Sequence, residues 1–398
     1  MKNKLSIYLI KEQVTDINSI FKNQIELYNY ADLRNFKNNT KELNFNLYIK
    51  NFDLNCTIND KYHCFGIDNG FEKIVQKLSE NQTINDICDT VSQGIITGGN
   101  PIYIFDSEQK INDSNVDREL LKPILRGENI SKYYYAYENS KILYVNKNTN
   151  IDNYSRTLEY LEQFKDKLSQ KRETKKGTLP YWSLWWARTE DLFVGEKILL
   201  RQTGDKLIAA YDNENYFAIN SLLILRLVNY SDYKYVLALL NSKLLQYYYS
   251  NIAQEDGRAF AEVKPANIKR LPIPNTTFAQ KQNLKLQSEQ MIKLNKQFHE
   301  EIDSALELIK SEYQPKKISQ NLEKFYTLGI HPFLEELEKQ KVKLSLNQKE
   351  ELIKWYQDKS KVLDDIKKQI DTLDQQIDQE VYKLYNLTDE EIKIIEEG

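Results

Sequence analysis

Between residues 276 and 398 the apolar positions fall mostly three and four apart. One series runs Leu284, Met291, Leu294, Phe298, Ile302, Ala305, Ile309, and a second Leu363, Ile366, Ile370, Leu373, Ile377, Val381, Leu384. This period places each series on one face of a long helix and forms a coiled-coil-like seam. Residues 313–345 leave room for a turn, so the two helices are expected to pack antiparallel. Thr388-x-x-Glu391 has the form of a capping box and predicts a short terminal helix. Upstream the period changes. Short apolar runs bounded by polar or turn residues predict strands at 102–105, 142–146, 197–201, 207–211, 216–218 and 222–228. Residues 73–78 and 233–249 predict helices, and Lys269-Arg-Leu-Pro-Ile-Pro274 cannot continue one. Residues 84–92 lead into Gly94-Ile-Ile-Thr-Gly-Gly-Asn100, where Gly98-Gly99 predicts a tight turn. Residues 1–70 are rich in Asn and strand-like, with strands expected at 4–10 and 47–55. The pattern predicts an α+β chain in three regions: 1–70, a mixed-strand region 71–275, and a long-helix region 276–398.

Composition narrows the function classes. No stretch approaches the roughly 18–20 apolar residues that span a bilayer. The opening run 5–10 is short, and Lys11 and Glu12 follow it without a small-residue cleavage site, so it reads as a buried strand in a cytoplasmic protein. Cys56, Cys64 and Cys88 are widely spaced and read as reduced thiols. His63 adjoins Cys64, but no second Cys or His pair completes a zinc site, and no metal is expected. The net charge is −3, and the acidic surplus sits in 276–398, where 19 Lys/Arg face 24 Asp/Glu. Any surface for a polyanion must therefore be local.

Asn100-Pro-Ile-Tyr103 is close to the Asn-Pro-Pro-Tyr of amino-methyltransferases, in which an Asn side chain and an aromatic ring hold a flipped base. That chemistry needs a glycine-rich nucleotide-binding turn upstream, and residues 1–98 contain no Gly-x-Gly after a strand. The segment reads as a turn delivering a strand. Glu108-Gln-Lys110 with Asp89 loosely fits a metal-dependent nuclease, but Glu-x-Lys recurs at Glu173 and Glu391 as chance predicts. No catalytic residue is assigned. The strongest local feature spans 165–188, where Lys165, Lys167, Lys171, Arg172, Lys175, Lys176 and Arg188 precede or adjoin Trp182, Trp185 and Trp186. Cations interleaved with aromatic rings suit phosphate contact and stacking on bases, although three tryptophans so close together also suit a core.

The order of these segments resembles the TaqI-like C-terminal specificity domain of type IIG restriction–modification enzymes and related adenine-N6 methyltransferases. The resemblance rests on Gln93–Asn100, Leu121-Lys-Pro-Ile-Leu-Arg-Gly127, Tyr181-Trp182, Gly195-Glu-Lys-Ile-Leu-Leu-Arg201, Leu237-Ala-Leu-Leu-Asn-Ser-Lys-Leu244, Asn267–Pro274 and the run Leu373–Tyr385. The helix after Leu-Pro-Ile-Pro also resembles the spacer helices of type I specificity subunits. The resemblance implies that residues 1–70 are closing strands of a methyltransferase domain whose catalytic motifs lie outside this chain, as in a split subunit, a truncated chain or a remnant. It implies double-stranded DNA and a methyltransferase domain or subunit as partners. S-adenosylmethionine, and Mg if a nuclease is attached, would serve the complete enzyme, with no cofactor in this chain. Phosphate contacts are expected from Lys132, Lys171, Arg172, Lys175 and Lys176. Base contacts are expected from Asn100, Arg126, Arg188, Arg201 and Arg258, because Arg pairs with guanine and Asn with adenine. Thr97 and Trp186 complete the DNA-binding set. Two other readings stay open: an enzyme retaining methyl transfer or cleavage, and a helical assembly protein that no longer binds DNA.

Overall fold

In the computed structural model, residues 73–253 and 262–397 are described with their side chains. Ahead of them the backbone is described for strands Tyr8–Leu9, Glu26–Leu27, β1 (Leu43–Ile49), β2 (Phe52–Ile58) and β3 (His63–Ile67) and for the helix Phe71–Ser79. The chain divides into two compact units, 1–74 and 75–398. In the first, β1, β2 and β3 form an antiparallel meander, with Leu47 opposite Leu54 and Cys56 opposite Phe65. The single strand expected at 47–55 is therefore parts of two strands. Of the strand expected at 4–10, only Tyr8–Leu9 falls among the described residues.

The second unit holds two four-stranded sheets. One has the order β9 (Ala209–Asp212), β8 (Lys197–Arg201), β11 (Leu222–Leu227), β4 (Cys88–Gln93), all antiparallel. Its inner strands are apolar on both faces, and Ile198, Leu199, Leu200 and Leu222 to Leu225 are fully buried. The other has the order β10 (Phe217–Ala218), β6 (Leu121–Leu125), β7 (Lys141–Leu143), β5 (Ile104–Phe105), with β10 parallel to β6. One continuous core joins them through residues such as Ile95, Phe105, Leu143, Leu184 and Ile224. The strand expected at 102–105 begins late, because Asn100–Tyr103 forms a helical turn with Pro101 in its first turn.

The helix expected at 233–249 splits at Ser242 into α1 (Tyr233–Asn241) and α2 (Lys243–Ala253), with Ser242 in extended geometry. The Lys243 N–H at the start of α2 donates to Asp378 Oδ1 at 2.8 Å, a cap supplied from far along the chain. Asn241 is buried and uses both ends of its amide, accepting from Ala209 N and donating to Ala209 O, each at 3.0 Å. It thus clamps the edge strand β9.

The helical region packs as the seam predicts. α3 (Phe278–Tyr313) and α4 (Leu346–Leu384) open on capping boxes at Thr277 and Ser345, and every seam residue is buried except Leu384, which is half-buried. They run antiparallel: Glu301 pairs with Lys359 at 2.7 Å, and Tyr313, further along α3, faces Glu351, earlier on α4. The hairpin docks on the sheet region. Tyr385 donates to Pro272 O at 2.7 Å, Tyr134 stacks on His299 with ring centroids 4.0 Å apart, and α5 (Asp389–Glu397) closes over α2 through the Lys243–Glu396 pair at 2.5 Å. The capping box forms at Thr388 and Glu391.

Asp378 sits in this joint, 2% exposed. Burial raises its carboxyl pKa to about 6, aided by Asp374 and opposed by the Lys243 N–H, Lys132 and Lys243. Because the folded value exceeds the unfolded one, the fold holds more protons than the unfolded chain between about pH 4 and 6. Stability attributable to this group falls as pH rises through that window, and the penalty is complete above it. Asp378→Asn, which can still accept from Lys243 N, is expected to stabilise the chain by roughly 2 kcal/mol at pH 7.5 and by almost nothing near pH 4. Denaturant melts at the two pH values check this. A variant less stable at pH 7.5, or a gap independent of pH, would contradict it.

Candidate nucleic-acid interface

The glycine turn organises the site. Gly94 is pressed so tightly against the chain that a Cβ would lie 2.3 Å from Ile219 O, and Gly98 takes a φ of +76°. Between them, Ile95 bridges Ile219 and Ile96 bridges Trp186. The segment is therefore held on one side by the turn before β11 and on the other by the tryptophan loop. Thr97 is 2% exposed and fixes the turn from within, its hydroxyl accepting from Gly99 N at 2.9 Å and donating to Asn100 Oδ1 at 2.6 Å.

An open cleft of about 670 Å³ lies on the Ile219 side, lined by Asn100, Arg126, Arg201, Asp106, Lys110 and Glu128 among others. Arg201 projects from the end of β8. Its Nε donates to Gly127 O at 2.9 Å and one Nη to Ile130 O, so its guanidinium is fixed by backbone carbonyls. Among the described residues it has no carboxylate partner. Arg126 differs, since Asp106 and Glu128 both pair with it while its Nε is buried without an acceptor. Lys110, read in the sequence only as part of a chance Glu-x-Lys match, reaches back to Ile104 O at 2.7 Å.

A second cleft, about 650 Å³, lies on the tryptophan side and is lined by Trp185, Trp186, Arg188, Tyr144, Lys147, Asn148, Glu173 and Thr178 among others. Arg188 holds a φ of +60° and its Nε donates to Gly94 O at 3.3 Å, while Tyr144 donates to its carbonyl at 2.6 Å. Burial lowers its pKa. It too lacks a carboxylate partner among the described residues. Trp186 is 48% exposed, whereas Trp185 turns in and donates to Glu173. Arg172, Lys175 and Lys176 are exposed on and after the short helix Arg172–Lys175 beside this cleft, and none is paired among the described residues.

Two expected contacts fall elsewhere, and a third lies outside the described residues. Lys171, expected at a phosphate, is 5% exposed, and its ammonium donates to Ser183 O, to Tyr181 O at 2.7 Å and to Tyr103 Oη at 3.4 Å. Burial lowers its pKa to about 8. All three N–H groups are engaged, so it is a strut beneath the tryptophan loop. Lys132 points to the hairpin and pairs with Asp374 at 3.9 Å. Arg258 lies outside the described residues. The Asn-Pro-Ile-Tyr segment offers no ring for stacking, because Tyr103 is fully buried with its hydroxyl donating to Trp182 O at 3.0 Å. Among the described residues no His, Cys, Asp and Glu side chains gather as a metal site, and Cys88 is a half-buried free thiol.

The segments that build both clefts fall largely within one family model. Residues 122–273 match the TaqI-like C-terminal specificity domain. This TaqI-like region ends at the Leu-Pro-Ile-Pro exit, and residues 277–381, the helical hairpin, match a domain of unknown function, DUF8810. Among solved structures, the type IIL restriction–modification enzyme MmeI, determined in complex with DNA, is similar at 12% identity and a TM-score of 0.42, over 54% of this chain and 29% of that one. The type IIG restriction endonuclease BpuSI is similar at 14% identity and a TM-score of 0.36, over 56% of this chain and 28% of that one. The chain thus spans under a third of either enzyme. No curated protein matches it in sequence. No helix among the described residues is long and apolar enough to cross a membrane.

Proposed function

We propose that this chain is the sequence-reading module of a restriction–modification adenine-N6 methyltransferase, docking the glycine turn and its two clefts on double-stranded DNA while a methyltransferase domain or subunit supplies S-adenosylmethionine chemistry. One observation carries the reading. Arg188 and Arg201 stand on opposite sides of one rigid segment, each anchored to a backbone carbonyl and neither neutralised by a carboxylate among the described residues. A half-buried cation without a counter-ion costs stability, which acceptors arriving with a ligand would recover. Guanine O6 and N7 are such acceptors, and phosphates along the rim would meet Arg172, Lys175 and Lys176. The specificity-domain match supports the same reading.

Selection from a random duplex pool should enrich one short sequence. If Lys147, Lys167, Arg172, Lys175 and Lys176 each neutralise one phosphate, log K should fall with log salt at a slope of about −4 to −5. Recovery of no enriched sequence, or affinity indifferent to salt, would overturn the proposal. The chain with S-adenosylmethionine and that duplex should transfer no methyl label; turnover would instead favour a self-sufficient enzyme.

A further inference from the structure

We propose that the cleft beside Trp186 receives a single nucleobase unstacked from the bound duplex, an inference that rests on the DNA-recognition reading. Trp186 is 48% exposed, yet its backbone is pinned to Ile96 by a pair of hydrogen bonds, its N–H donating to Ile96 O at 2.9 Å and its carbonyl accepting from Ile96 N at 3.1 Å. The indole is thus mounted on a fixed strand-like segment, and exposing it costs hydrophobic free energy with no gain in the free protein. Its flat face matches the flat face of a base. In an intact duplex that face is covered by the neighbouring pairs, so only an unstacked base can present it. The cleft has the volume, about 650 Å³, and its mouth carries Lys147 and Asn148, exposed and without side-chain partners among the described residues, and the fixed guanidinium of Arg188. A displaced nucleotide brings a phosphate for Lys147 and an edge of donors and acceptors for Asn148 and Arg188. The two carboxylates that line this cleft are engaged elsewhere, Glu173 by Trp185 and Glu190 by Lys122, and neither pairs with Lys147 or Arg188.

The test scans mismatches through the enriched duplex. A mismatch already lowers the cost of unstacking, so at one position it should tighten binding about tenfold while weakening it elsewhere. Trp186→Ala should abolish that gain and Trp186→Phe should keep most of it. Both variants should melt with the parent, since the indole is exposed. A duplex weakened by every mismatch, or a gain that survives in Trp186→Ala, would overturn the inference while leaving sequence recognition intact. If no sequence is enriched at all, the recognition reading fails first and this one with it.

Discussion

Lys197→Met is expected to cost about 3–5 kcal/mol of folding stability, the largest effect of any single change considered. Lys197 and Asp212 are both fully buried on neighbouring strands β8 and β9, with Nζ and Oδ2 2.5 Å apart. The ammonium also donates to Phe193 O at 2.6 Å, and the carboxylate accepts from Glu214 N and Tyr216 N. Burial lowers the pKa of Lys197, and the adjoining carboxylate opposes that shift. Methionine fills the same volume but strands a charge with no water to hydrate it. Asp212→Asn added to Lys197→Met should recover part of the loss, because it removes the stranded charge, while its one amide oxygen keeps one of the two N–H bonds that Asp212 accepts on separate oxygens. Urea unfolding of the three variants checks this. A single-variant loss under about 1 kcal/mol would show the pair to be worth no more than a surface bridge.

Arg201→Ala carries the second large expectation. If the guanidinium reads a base, its loss should weaken the enriched duplex by about 1–3 kcal/mol, roughly five- to 150-fold, and relax the preference at one base pair. Affinity for random duplex should change little. Equal loss on both DNAs would assign Arg201 to a phosphate. Because Arg201 also ties Gly127 and Ile130 in place, the melt of the variant belongs beside the titration, and Arg188→Ala, whose anchor is a single 3.3 Å bond to Gly94, provides a comparison with less structural disturbance.

The α+β class and the two helical seams were legible because they rest on periodicity, which survives in one sequence. The seam at Leu284 to Ile309 is buried residue for residue. The break at Ser242 was not legible, since the polar run Asn241-Ser242-Lys243 is short enough to fit within one continuous helix, and the cap that divides it arrives from Asp378. Charge was harder still. Lys171 sits in the same basic run as Arg172 and Lys175, and its burial follows from carbonyls of residues 181 and 183 folding back over it. Arg126 and Arg201 looked alike in sequence, yet one is neutralised by Asp106 and the other faces its cleft uncompensated. Lys147 and Asn148 gave no signal beyond following an apolar run, and only the fold brings them to Trp186.

The split at Ser242 has a mechanical consequence. Asn241 is fastened to the edge strand of a sheet and Lys243 to Asp378 near the C-terminal end of a long helical lever, with a single residue as the pivot between them. Strand β9 lies next to β8, which ends in Arg201. Leaning the lever would therefore tug on the strand next to the one that carries Arg201, so force applied to the helical hairpin has a short, stiff path to the first cleft.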